Sequence, residues 1–374
     1  MNCGVYIHIP FCHSRCNYCH FITTAFRGAE TRRYAAAVTR EVADADLPDT
    51  GLADSLYFGG GTPSLLAECI PDLIGAVRGK FRFTDDCEIS LEANPGTISA
   101  RRLQLLRSAG VNRVSLGAQS FADAELKAIG RIHDSETILK SVARLRAEGF
   151  SNINLDLMLG LPGQTEKSWM RNLEMVARLS VPHLSVYMLD LDDRCELQSL
   201  VESGSVKLPD EDLISDLYLE TIEFLLRHGY LQYEISNFAL PGFSCRHNLK
   251  YWRREPVYGF GLGSHSFDGH ARYSNCPELG AYLEVVESGR SPVTWYEPVS
   301  AEQSLAETLF LGLRLTQGID WGQLLDACGA GRLARYEEAL REIAAKGLAE
   351  WDGESVRLTA SGMLVSNEIF QCFV

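Results

Sequence analysis

The chain has 374 residues, 46% of them hydrophobic and 22% charged, with 35 Lys/Arg against 49 Asp/Glu and a net charge of -14. That length allows a large core and one to three domains, and the acidic balance argues against nucleic acid as a partner, because phosphate contacts need clustered cations. No apolar run reaches the ~20 residues that span a bilayer, and the N-terminus reads at once as a strand rather than a secretory signal. A cytoplasmic location with no integral membrane segment is therefore expected.

Short apolar runs alternate with longer amphipathic stretches. Residues 5–9, 55–58, 88–92, 113–117, 154–158 and 183–188 are rich in Val, Ile, Leu and Tyr, as buried parallel strands are. Helical spacing runs over 29–45, 65–78, 100–109, 135–148 and 166–179, with Gly110 and Gly149 at C-cap positions. Six strand–helix units in series predict a parallel α/β sheet, either open or curved into part of a barrel. Ligands gather at the carboxyl ends of such strands. Three cysteines follow the first strand, residues 59–62 follow the second, Glu92 ends the third, Gln119 follows the fourth and Asp156 lies late in the fifth. The polar and glycine-rich residues thus share one mouth.

After about residue 300 the rhythm changes. Helices over 302–315, 321–327 and 333–346 precede a hairpin turning at Asp352 and Gly353, which predicts a winged-helix-like α+β domain over residues 300–374. Six Lys/Arg against eleven Asp/Glu there favour a structural or ligand-covering role over DNA binding. Residues 1–290 form the expected core domain, and the Ser288–Pro298 stretch, with Pro292 and Pro298, reads as the linker.

Eleven cysteines are present, an odd number that does not suit a disulfide framework. Eight are scattered and read as structural thiols. Cys12, Cys16 and Cys19 stand as CxxxCxxC in a loop after a strand. Three thiolates so placed can hold three irons of a [4Fe–4S] cubane and leave the fourth iron open. S-adenosylmethionine (SAM) can chelate that iron and accept an electron that splits a carbon–sulfur bond. The rivals are a zinc site completed by His8, His13 or His20 and three unliganded thiols.

The segments Tyr6-Ile-His-Ile-Pro-Phe-Cys12, Tyr57-Phe-Gly-Gly-Gly-Thr-Pro63, Glu92-Ala-Asn-Pro95, Leu116-Gly-Ala-Gln-Ser-Phe121, Asp156 to Thr165 and Cys245-Arg-His-Asn-Leu-Lys-Tyr-Trp252 together resemble the radical SAM superfamily. More narrowly they are similar to the oxygen-independent coproporphyrinogen III oxidases and their heme-chaperone relatives, the HemW proteins. The resemblance covers nearly the whole chain and implies a partial (β/α)6 TIM-like barrel. It implies that Tyr6 and Tyr18 flank SAM, that Gly60 and Gly61 admit its methionyl group, and that Glu92 binds it. Thr62, Gln119, Arg131 and Asp156 match positions that hold a second SAM in the oxidase. Without the resemblance, Asp156 and Arg131 are equally explained as a buried ion pair.

Two departures from the oxidase pattern point to the chaperone branch: Phe21 stands where the oxidase has a further cysteine, and only eleven residues precede Cys12. The resemblance then implies heme as a ligand, heme-receiving client proteins and an electron donor as partners, and His247 as the heme contact, beside Tyr251 and Trp252. His265 is a second candidate. Coproporphyrinogen III oxidation is the alternative, and methyl transfer from SAM a further one.

Overall fold

The computed structural model describes residues 2–47, 52–192 and 195–373. The alternating apolar runs build one twelve-stranded sheet. Its strands are β1 (Cys3–Ile9), β2 (Ala53–Gly60), β3 (Phe83–Ala93), β4 (Arg113–Gln119), β5 (Asn152–Leu159), β6 (His183–Met188), β7 (Leu231–Glu234), β8 (Asn237–Ala239), β9 (Val257–Phe260), β10 (His265–Phe267), β11 (Ala271–Asn275) and β12 (Val293–Pro298). They lie in the order β12-β11-β10-β9-β1-β2-β3-β4-β5-β6-β8-β7. From β9 through β1 to β6 every pairing is parallel, and antiparallel strands extend both flanks. The parallel part therefore gains β9, a seventh strand beyond the six expected.

Helices α1 (Gly28–Asp44), α2 (Ile70–Lys80), α3 (Ala100–Ala109), α4 (Ser135–Ala147) and α5 (Glu166–Leu179) follow β1 to β5. The helix expected over 65–78 divides in two: Pro63–Leu66 is a 3-10 turn, and α2 starts afresh with Pro71 in its first turn. Proline lacks the N–H that a helix interior requires, so the chain breaks before it. On the outer face Val5, Ile7, Ile9, Leu56, Phe58, Val114, Leu116 and Leu155 are fully buried in the main core. The inner face carries the alternate residues, which are mostly polar. A strand apolar on one side and polar on the other is a wall between a packed layer and a ligand space.

The expected linker is corrected by the structure. Val293–Pro298 pairs with β11 as the sheet's edge strand, a position where proline costs no ladder bond. Beyond it, Ala301–Gly312 opens on a Ser300–Gln303 capping box, and further helices pack with a three-stranded antiparallel sheet. Glu307 bonds Arg254 and Arg272, each at 2.8 Å, and so ties this part to the core.

A short helix, α7, closes the inner side of β1 and β2; it spans Arg246–Trp252 and follows α6 (Glu211–Arg227). Its Lys250 is 2% exposed and pairs with Asp54 at 2.7 Å and Glu255 at 2.8 Å. Gly4 makes room, since a Cβ there lies 2.9 Å from the Lys250 side chain. Removing one member of a buried pair leaves the other charge uncompensated. Lys250→Ala is expected to destabilise the protein by about 3 kcal/mol, read as a lower urea midpoint with an unchanged m-value.

Candidate functional site

Inner-facing residues of five consecutive strands meet at one cavity of about 440 Å³. Tyr57 and Gly60 come from β2, Glu92 from β3, Arg113, Ser115 and Gln119 from β4, Asn154 and Asp156 from β5, and Ser185 and Tyr187 from β6. Strands that line one space must curve round it, so the sheet is a partial barrel.

The cysteine loop forms the mouth. Cys12, Cys16 and Cys19 are free, half-buried and on the cavity wall. The loop is tied at its root, where Thr24 N–H donates to Pro10 O at 2.8 Å and Phe26 N–H to Cys12 O at 2.9 Å. Inside it, Cys19 N–H donates to Cys16 O, and the Arg15 guanidinium holds Cys19 O at 2.9 and 3.2 Å. Burial raises the pKa of the Cys12 and Cys19 thiols, and metal binding displaces such protons. Among the described residues no three His, Cys, Asp or Glu converge on a single-ion site. A cubane asks each sulfur for a different iron, which three thiols around one cavity suit. Both ring nitrogens of His8 already have partners in the protein: Nδ1 lies 3.1 Å from the Tyr6 hydroxyl and Nε2 3.0 Å from Ile22 O.

The glycines at the end of β2 admit a close approach, and here it is to the protein's own chain. Gly60 has φ +114°, and a Cβ on it falls 2.5 Å from His8 Cε1. A Cβ on Gly61 falls 2.8 Å from the Pro10 carbonyl, while Gly61 N–H donates to Ile9 O at 2.7 Å. This contact carries Thr62 to the cysteine loop, with Oγ1 3.4 Å from Cys12 Sγ. It also aims the Gly60 N–H at Glu92 Oε2, at 3.0 Å, while the Tyr57 hydroxyl donates to Oε1 at 2.8 Å. Burial, with Asp156 nearby, pushes the Glu92 carboxyl up to about 7.

Arg131 Nη1 donates to Asn94 Oδ1 at 2.8 Å, and its guanidinium lies 5.8 Å from the centre of the Tyr18 ring. Asp156 is not ion-paired with Arg131 among the described contacts. It accepts from Ser115 Oγ at 3.1 and 3.2 Å and from Asn154 Nδ2 at 2.6 Å. Gln119 sits at φ +64°, where a side chain is strained. Its buried Oε1 has no partner in the protein.

Thus Tyr18, Gly60, Gly61, Thr62, Glu92, Gln119, Arg131 and Asp156 share the cavity with the three cysteines. Tyr6 and His247 stand one layer behind, their rings stacked with Tyr57 at 6.2 and 5.0 Å. His247 is 1% exposed. Its Nδ1 lies 3.0 Å from Ser55 Oγ and its Nε2 3.2 Å from the Tyr251 hydroxyl. Burial, reinforced by Lys250 and Arg113, lowers its pKa to about 3, so the ring is neutral. His265 is exposed near Trp295, 6.3 Å between ring centres. Asn94, Arg113, Ser115 and Asn154 also belong to the site, though no motif role marked them. The alternation of β4 and β5 was the available signal, since Arg113, Ser115, Gly117 and Gln119 lie two apart, as do Asn154 and Asp156.

Residues 6–176 match the radical SAM superfamily model, and residues 299–365 match the HemN C-terminal domain. The chain is 35% identical over 375 residues to the heme chaperone HemW of Bacillus subtilis, covering 99% of each. It is 33% identical to HemW of Lactococcus lactis, covering 99% of this chain and 97% of that one. Among solved structures, the coproporphyrinogen III oxidase HemN of Escherichia coli aligns with 100% of this chain and 90% of its own, with TM-score 0.85 and 27% identity.

The Gly61 contact can be tested alone. Gly61→Ala forces the β2 end away from Pro10. Iron content after anaerobic reconstitution is expected to fall well below wild type, while the far-ultraviolet circular dichroism stays unchanged.

Proposed function

Because the chain belongs to the HemW family of heme chaperones, within the radical SAM superfamily, we propose that it binds heme on a radical SAM core and delivers it to client proteins. The observation that supports the core chemistry most directly is that three half-buried thiols share one cavity with Glu92, Arg131 and Asp156. Bound there, a [4Fe–4S] cluster supplies one-electron chemistry to SAM. Glu92, held by Gly60 N–H and the Tyr57 hydroxyl, offers a carboxylate to the SAM amino group. Arg131 offers a cation to its carboxylate. Gln119 and Asp156, deeper in, offer polar contacts to a ribose, an adenine or a second SAM. Tyr18 closes one side, and Tyr6 supports the site from behind through Tyr57.

Heme is assigned to His247. Its Nε2 lies 3.2 Å from the Tyr251 hydroxyl, and heme iron would have to take the place of that hydroxyl to reach the nitrogen. Ser55 holds the other nitrogen and with it the ring orientation. Phe21 stands at the cavity rim, 57% exposed, where the oxidase has a cysteine. Client proteins and an electron donor are the partners this role requires. No helix among the described residues is long and apolar enough to cross a membrane, and the cytoplasm is the proposed compartment.

Two measurements test the reading. Titrated with heme, His247→Ala is expected to lose about tenfold or more in affinity, roughly 1.4 kcal/mol, and to change its Soret band; a titration identical to wild type removes His247 from the site. Incubated with coproporphyrinogen III, SAM and reductant, the reconstituted protein is expected to release no stoichiometric carbon dioxide; stoichiometric release replaces the chaperone with the oxidase.

A pH dependence follows from Glu92. With its pKa at about 7, the carboxyl is mostly protonated at pH 6 and mostly ionised at pH 8. The SAM amino group loses its counter-charge on the acid side. SAM affinity is expected to be about tenfold weaker at pH 6 than at pH 8, and Glu92→Gln to be weak and flat across that range.

A further inference from the structure

Thr62 is 2% exposed, and its hydroxyl is placed between two polar groups. Which proton goes where follows from the chemistry of the donors. A guanidinium only donates, so Arg131 Nη1, 2.8 Å from Asn94 Oδ1, fixes that amide with its oxygen towards Arg131. The amide nitrogen then faces Thr62 and donates to Oγ1 over 2.8 Å. The proton of the Thr62 hydroxyl is left for its other neighbour, Cys12 Sγ at 3.4 Å. A cysteine that holds iron has no proton of its own. The bond can then run only from Thr62 to sulfur.

We propose that Thr62 donates this hydrogen bond to the iron-bound Cys12 thiolate and thereby raises the reduction potential of the cluster. Hydrogen bonds to the sulfurs are one of the levers that set such potentials. Reduction adds negative charge to the cluster, and a donor at a ligand sulfur stabilises the more negative state. The guanidinium at the far end of the chain polarises Asn94 and Thr62 in the same sense. Thr62 is therefore a positioning residue that acts through Cys12. Gly61 is what makes the contact possible, because any side chain there pushes Thr62 off the loop.

The proposal rests on the reading that Cys12 holds cluster iron, and the experiment separates the two. Wild type, Thr62→Ser and Thr62→Val are reconstituted anaerobically without SAM and analysed for iron and sulfide. A wild type that takes up no [4Fe–4S] cluster overturns the cluster reading and this proposal with it. With cluster present, a mediated redox titration followed by electron paramagnetic resonance measures the potential. Thr62→Val keeps the shape and removes the donor. Its reduced-to-oxidised ratio at a fixed applied potential is expected to fall about tenfold, a downward shift of about 59 mV for a one-electron couple. Thr62→Ser keeps the hydroxyl and is expected to stay near wild type. Equal potentials in wild type and Thr62→Val overturn the proposal. So does a serine variant that shifts as far as valine, because packing and not the hydroxyl is then responsible. If Thr62→Val does not retain cluster, Thr62→Ala gives the same comparison.

Discussion

The mouth of the barrel depends on how closely the end of β2 lies against the end of β1. Two residues without side chains, Gly60 and Gly61, allow the backbones to touch through the bond from Gly61 N–H to Ile9 O. From that contact the rest is set by covalent geometry. The chain leaving β1 turns directly into the cysteine loop, and the chain leaving β2 presents Thr62 to it. The Gly60 N–H points across to β3 and holds Glu92. The three cysteines and the polar cradle are thus referenced to one backbone contact between neighbouring strands, which is stiffer than any arrangement of loops.

Inside the barrel the conflict between burial and polarity is resolved by pairing, with informative exceptions. Glu88 lies on β3 and accepts from the Cys245 thiol and from the backbone N–H groups of Arg246 and His247, so it seats the start of α7. His183 is held between Asn154 and Tyr233. Yet Arg113 Nε, Gln119 Oε1 and Arg131 Nε are buried without a partner in the protein. Such atoms cost about 1–3 kcal/mol each, and all three residues line the same cavity. A polar ligand bound in the cavity can satisfy these three atoms.

Much of this was legible in the sequence, for reasons that differ from residue to residue. His183–Met188 and Glu166–Leu179 carry a period strong enough to read directly, and both elements fall where that period puts them. The three cysteines are legible as a group because they crowd into one short loop after a strand, and the structure sets all three on the cavity wall. β9 was not legible: four residues, Val257–Phe260, carry no usable period, and their place beside β1 is decided by contacts some 250 residues away in sequence. The edge strand β12 was hidden by Pro292 before it and Pro298 at its end, since prolines mark loops and edges alike. The setting of His247 could not be read either. That it is buried behind Tyr57, with both nitrogens engaged, depends on Ser55 and Tyr251, which meet only after folding. Gln119 is the plainest case, since nothing in its neighbours announces a positive φ.

Tyr57 belongs to two neighbourhoods at once. Its hydroxyl holds Glu92 on one side, and its ring lies against His247 on the other. Residues that share a partner in this way do not vary independently, and the effects of changing them do not add. Phenylalanine at this position would keep the ring against His247 and lose only the bond to Glu92, whereas any small side chain would loosen both neighbourhoods at once. One ring at the end of a strand thus works as a shared hinge-pin between the cavity and the helix packed behind it.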